Sequence, residues 1–167
     1  MIISKRKRAE FKAKGIATGP ISRREMLKKN ARARGFAMGQ LRASIGEDTI
    51  ISDGTVFVNG DESDNEHRFL MGYSGLVWAP RDWMFGHSST ESTPIDRIEF
   101  DLVKSFRVTP DGHLFVVHIT EANRTVSLIF LPTTGLQTGD IAGANNRVVR
   151  ILCGLLSGHG AEGFGPE

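Results

Sequence analysis

Residues 95–131, IDRIEFDLVKSFRVTPDGHLFVVHITEANRTVSLIFL, leave this chain few folds to choose from. Ile98, Phe100 and Leu102 alternate with charged residues, Phe106 and Val108 resume the alternation after a slip at Val103, and the runs at 114–119 and 126–131 are short, β-branched and nearly continuously apolar. Such runs mark strands that bury one or both faces, so the stretch reads as a β-meander. Thr109-Pro110-Asp111-Gly112-His113 reverses the chain: proline presets φ, aspartate can bond its own backbone, and glycine accepts a positive φ. Glu121-Ala122-Asn123-Arg124 supplies a second reversal.

Residues 44–86 repeat the strand pattern. Thr49-Ile50-Ile51 and Thr55–Val58 flank a turn at Ser52-Asp53-Gly54, and Arg68–Met71 and Gly75–Trp78 read as further strands. The loop Asn59–His67 carries Asp61, Glu62, Asp64 and Glu66, and HSSTESTP (87–94) is a polar loop leading into the meander. After Pro132 comes a Thr/Gly linker. Ile141, Ala144, Val148, Ile151 or Leu152 and Leu155 then recur at three- and four-residue steps, which predicts an amphipathic helix over 140–157 with its stripe on the core and Gly158 as its stop. The tail 159–167 has no means of folding alone and is expected to be flexible. The expected fold is mostly β: about seven strands in a bent antiparallel sheet or barrel over 44–158, closed by the C-terminal helix. Another small barrel or sandwich closed by a helix is the alternative.

Charge divides the chain. Residues 1–43 hold 13 Lys or Arg against Glu10 and Glu25, a net +11, whereas residues 44–167 hold 8 against 17, a net −9. This split predicts a basic arm on an acidic domain. Ser22-Arg23-Arg24-Glu25 is a capping box, and Gly35 follows Arg34 as a stop, so the arm is expected to contain a short helix over 23–34 with too few apolar residues to dock on its own domain. Arm and domain are therefore expected to be separable near residue 43. Cys153 is the only cysteine, which excludes an intramolecular disulfide and a Cys-rich zinc site. No apolar leader follows Met1-Ile2-Ile3, and no run approaches the ~20 apolar residues of a membrane span, so the expected location is cytoplasmic, with nuclear or virion-associated alternatives.

Two stretches, GYSGLVWAPRDWMFG (72–86) and TPIDRIEFDLVKSF (93–106), resemble the hairpin and strand pattern of the pleckstrin-homology-like superfold, especially the small bacterial PH or GRAM-type domains. The resemblance covers about residues 46–157 and leaves the arm unmatched. It implies binding of phosphoinositides, peptides or proteins rather than chemistry. Lipid-binding members place Lys and Arg in the first hairpin loop, where this chain has Asp61, Glu62, Asp64 and Glu66, which would repel a phosphorylated headgroup.

No residue set reads as catalytic, metal-binding or cofactor-binding. Gly158–Gly163 fits G-x-G-x-x-G but follows a helix instead of a strand. His67, His87, His113, His118 and His159 are scattered; His113 and His118, an odd number apart on one strand, face opposite ways. Cys153 sits among Ile, Leu and Val as a small hydrophobe, Trp78, Trp83, Phe85, Phe100 and Phe106 read as core, and Glu99 and Asp101 as a solvated strand face. The candidate polyanion-binding residues are Lys5, Arg6, Lys7, Arg8, Lys12, Lys14, Arg23, Arg24, Lys28, Lys29, Arg32 and Arg34. The expectation is a non-enzymatic adaptor or assembly component without cofactor or small-molecule substrate. Its domain would bind a protein while the arm lies on nucleic acid or on an acidic surface of a ribonucleoprotein, transcription complex or viral particle. The alternatives are a peripheral protein whose arm binds anionic lipid and, less favoured, an acidic domain that binds its own arm.

Overall fold

The computed structural model describes residues 23–59, 66–84 and 94–166. Lys5, Arg6, Lys7, Arg8, Lys12 and Lys14, and the loop acids Asp61, Glu62 and Asp64, lie outside the described residues.

A helix, α1 (Arg23–Ser44), precedes β1 (Ser52–Val58), β2 (Glu66–Met71) and β3 (Gly75–Pro80). One helical turn, α2 (Arg81–Met84), follows, then β4 (Asp96–Glu99) and a 3-10 turn at Phe100–Leu102. The meander is β5 (Ser105–Asp111), β6 (Leu114–Thr120) and β7 (Thr125–Pro132); α3 (Thr133–Thr138), α4 (Ile141–Gly158) and β8 (Glu162–Gly163) complete the chain. The strands form one curled half-barrel sheet, in the order β4-β3-β2-β1-β7-β6-β5-β8. Adjacent strands are antiparallel except β8, which runs parallel to β5. The mostly β architecture with a closing C-terminal helix is thus the one the alternation predicts.

The meander folds for the expected local reasons. Asp111 pairs with Leu114 across Gly112-His113, where Gly112 takes φ 60°. In β7, Val126, Leu128 and Phe130 point inward while Ser127, Ile129 and Leu131 face outward, so the apolar run is an alternating strand. Inside the curl, Phe69, Trp78, Phe100 and Phe130 pack against Val148, Val149, Leu152 and Leu156 of α4, with Phe69 and Phe130 edge to face at 5.0 Å. Asp140 caps α4 by accepting from the Gly143 N–H at 3.0 Å.

One residue on α4 ties helix to sheet through polar contacts. Asn145 is fully buried; its Oδ1 accepts from the Phe115 N–H at 2.8 Å and its Nδ2 donates to the Phe130 carbonyl at 2.9 Å. A side chain that offers a donor and an acceptor can satisfy two strand groups which α4 would otherwise cut off from water. At the opposite edge of the sheet, Arg124 in the β6–β7 turn reaches β4. It donates to both Asp96 carboxylate oxygens at 2.7 and 3.0 Å, to the Arg97 carbonyl at 2.9 Å and to Glu121 at 2.7 Å, and it lies over the Trp78 ring. The curl is closed on that side by a side chain instead of a ladder.

Several expectations are corrected. Ser52-Asp53-Gly54 is the start of β1, not a turn: Gly54 approaches β7 so closely that a Cβ would lie 2.4 Å from the Leu131 carbonyl oxygen. Asp101 belongs to the 3-10 turn, so it does not share a strand face with Glu99, and His113 lies in the hairpin turn, not on the strand with His118. The Thr/Gly linker contains α3, ended by Gly139 at φ 75°.

The largest correction concerns the arm. Its helix does not stop at Gly35 but continues to Ser44, with Gly35 and Gly39 inside it. A helical glycine costs only ~1 kcal/mol relative to alanine, whereas each large apolar side chain buried recovers about 1.5–3 kcal/mol. Ala37, Leu41 and Ile45, at four-residue steps, are 2%, 0% and 9% exposed and pack on Leu70, Val77 and Ala79, which form the outer face of β2 and β3, together with Met84. Residue 43 accordingly lies inside a helix that packs on the sheet.

Candidate interaction surfaces

The sequence-predicted polyanion residues are brought onto one element as far as they are described. Arg23, Arg24, Lys28, Lys29, Arg32 and Arg34 all lie in the stretch 23–34 of α1, where Arg24, Lys28 and Arg32 follow at four-residue steps and Lys28 is exposed. The same helix carries Ala37 and Leu41 into the second core cluster. A basic segment is therefore continuous, through one helix, with the fold. Sequence reasoning missed the docking half, although the spacing of Ala37, Leu41 and Ile45 and the unbroken apolar runs Phe69–Met71 and Leu76–Ala79 were visible; a strand with no polar face requires cover on both sides.

The C-terminal tail forms a second surface, and the flexible tail expected for 159–167 is corrected here for the described residues through 166. The Glu162 N–H donates to the Lys104 carbonyl at 3.0 Å, Ala161 is 7% exposed, and Glu162 and Gly163 pair with Ser105 and Phe106. His159 anchors the start of this tail. Its Nδ1 lies 2.6 Å from Asp101 Oδ1 and its Nε2 3.0 Å from the Tyr73 carbonyl, while its ring meets Phe100 edge to face. Both ring nitrogens face acceptors, so the doubly protonated imidazolium suits both contacts. The hydrogen bond to Asp101, and to a lesser degree the Tyr73 carbonyl and the Asp101 and Asp48 charges, raises its pKa above the ordinary histidine value, against a smaller opposing effect of burial.

A raised folded pKa stabilises the fold fully below the unfolded value near 6.5, and this contribution disappears as pH rises through the folded pKa. The difference in melting temperature between the wild type and His159→Ala should therefore be largest near about pH 5.5 and shrink toward about pH 9. A difference that grows with pH would show that the contact with Asp101 does not govern the titration.

Other titratable groups are structural in character. Burial pushes the Cys153 thiol up to about 11 despite the nearby Arg150 charge, which keeps it protonated at neutral pH and agrees with its reading as a small core hydrophobe. His118 bonds Thr109 Oγ1 at 2.8 Å and Ser127 Oγ at 2.7 Å, and burial, followed by the Arg107 charge, lowers its pKa. Among the described residues no group of three or more His, Cys, Asp or Glu is placed to hold a metal ion, and no helix is long and apolar enough to cross a membrane.

No family model matches the sequence, and a search of curated proteins finds no match. Among solved structures, the C-terminal domain of an unknown protein from Leishmania infantum is similar with a TM-score of 0.47 at 10% identity, over 73% of this chain and 96% of that one. A chain from human RhoA in complex with the DH/PH fragment of PDZRHOGEF is similar with a TM-score of 0.47 at 12% identity, over 78% of this chain; the match spans 40% of that chain's length.

Proposed function

We propose that the protein is a non-enzymatic adaptor or assembly component: a PH-like domain that engages a protein partner, joined rigidly to a basic segment that contacts nucleic acid or an acidic surface of a large complex. The observation that carries this reading is α1. Its C-terminal part docks on the domain through Ala37 and Leu41, and the part before it, 23–34, holds six of the twelve basic residues that the sequence singles out. A tether needed only for solubility gains nothing from such anchoring; a segment that must present charge at a fixed place beside a second binding surface does. Lys and Arg without neighbouring base-reading side chains suit phosphate contacts, which give affinity without sequence choice. The curled sheet with its closing C-terminal helix supports the PH-like assignment of the domain.

Salt dependence tests the reading. If about six phosphates are contacted, the affinity for duplex DNA or RNA in a gel shift should fall about a thousandfold between 50 and 200 mM salt, whatever the base sequence. Replacing Arg23, Arg24, Lys28 and Lys29 together by alanine should flatten that dependence and weaken all sequences alike. Binding that ignores salt would overturn the polyanion role, and co-sedimentation with anionic liposomes in place of a gel shift would move the basic segment to a membrane surface.

A further inference from the structure

We propose that the groove between the open edge of β5 and the C-terminal tail is a docking site for an extended peptide of another protein, which adds to β5 as a strand. The peptide would place an apolar side chain in the groove and an acidic one at Arg107. This deepens the proposed function, since it names where and how the protein partner is held.

The first observation is an unfinished ladder. β5 runs for seven residues, yet among the described residues only Ser105 and Phe106 are paired on the side away from β6, with β8. The Glu162 N–H donates to the Lys104 carbonyl, which in a parallel ladder directs the N–H and C=O of Phe106 toward the tail. By the two-residue period of a strand, the N–H and C=O of Val108 point the same way, and Pro110 next in line has no N–H to offer. Among the described residues no strand continues the ladder past Phe106. An edge of this kind is a template for strand addition, and β8 shows that this edge takes a strand.

The second observation is the space beside that edge. A groove of about 420 Å3 is lined by Phe106, Arg107, Val108, Pro110 and Phe115 on one side and by the tail, 163–166, on the other. That volume falls within the roughly 300–1,000 Å3 of ordinary binding sites. The tail forms the far wall of the groove and lies against α4 there: a Cβ on Gly165 would be 3.6 Å from the Cys153 Cβ. Phe164 stands in the groove wall at 89% exposure, and a large aromatic left in water beside an apolar groove is surface that a bound chain covers.

The third observation selects the occupant. Backbone groups of one strand recognise an extended chain, and an apolar floor excludes a polyphosphate. Arg107 is exposed, lines the groove and makes no ion pair among the described residues, which favours an acidic side chain on the peptide.

The experiment uses the full-length protein, a phage-displayed library of random dodecapeptides, and fluorescence polarisation of the enriched sequence as a synthetic fluorescein-labelled peptide. Enriched sequences should share an apolar residue and an acidic one. Val108→Pro, which removes the edge N–H, should weaken the peptide by about tenfold, and Arg107→Glu by a similar factor. Because Val108→Pro can also disturb the strand, the peptide is remade with alternate amides N-methylated; it should lose binding to the wild-type protein, whose fold is untouched. Failure to enrich any sequence, or equal binding of the N-methylated peptide, overturns the proposal. The polyanion reading is tested apart: Arg107→Glu should leave the salt-dependent gel shift within about twofold, and peptide binding should persist in the chain with the four α1 alanines.

Discussion

A chain lacking residues 1–43 is expected to unfold at a much lower urea concentration than the intact protein. The shorter chain loses Ala37 and Leu41, which are 2% and 0% exposed, and brings water to Leu70, Val77 and Ala79, which are 3%, 1% and 0% exposed in the fold. Truncating one buried leucine costs ~2–5 kcal/mol. With the uncovered sheet face added, the loss is about 4–6 kcal/mol against the ~5–15 kcal/mol that holds small domains together. Leu41→Asp should reproduce most of it at full chain length, since a carboxylate at that position must either be buried unpaired or break the contact. Equal urea midpoints for the intact and the shortened chains would mean that the α1 contact contributes nothing, and that residue 43 is a true boundary after all.

Asn145→Leu is expected to destabilise the domain by about 2–5 kcal/mol, although the change puts a hydrophobic residue of similar size into an apolar helix face. Leucine leaves the Phe115 N–H and the Phe130 carbonyl without their partner beneath α4, and each buried group so orphaned costs ~1–3 kcal/mol. Asn145→Asp should restore only part of the loss, because it can still accept from Phe115 but cannot donate to Phe130 and places a charge where the native side chain is fully buried. Urea unfolding measures both variants. If Asn145→Leu falls within about 0.5 kcal/mol of the wild type, the two strand groups must find other partners and Asn145 is not the polar tie between helix and sheet.

The strand alternation of the meander, the reversal at Gly112 and the presence of α4 were legible because their causes act within a few residues, side-chain period and φ preference; of the predicted stripe on α4, Ala144, Val148 and Leu152 are buried, whereas Ile141 and Ile151 are exposed and the buried face runs instead through Val149, Cys153 and Leu156. The split of charge at the arm was legible for the same reason. What the sequence did not determine is which faces meet. Gly35 reads locally as a helix stop, and only the outer face of β2 and β3, against which Ala37, Leu41 and Ile45 are buried, carries the helix on through Gly35 and Gly39. Asn145 lies on the buried side of α4, and its purpose depends on Phe115 and Phe130, brought to it by the sheet. The tail has no means of folding alone; a strand edge at Ser105 and Asp101, fifty-eight residues before His159, hold it in place. In each case local pattern sets the conformations a segment can adopt, whereas burial, and with it most of the free energy, is decided by partners distant in sequence that only the tertiary structure brings into contact.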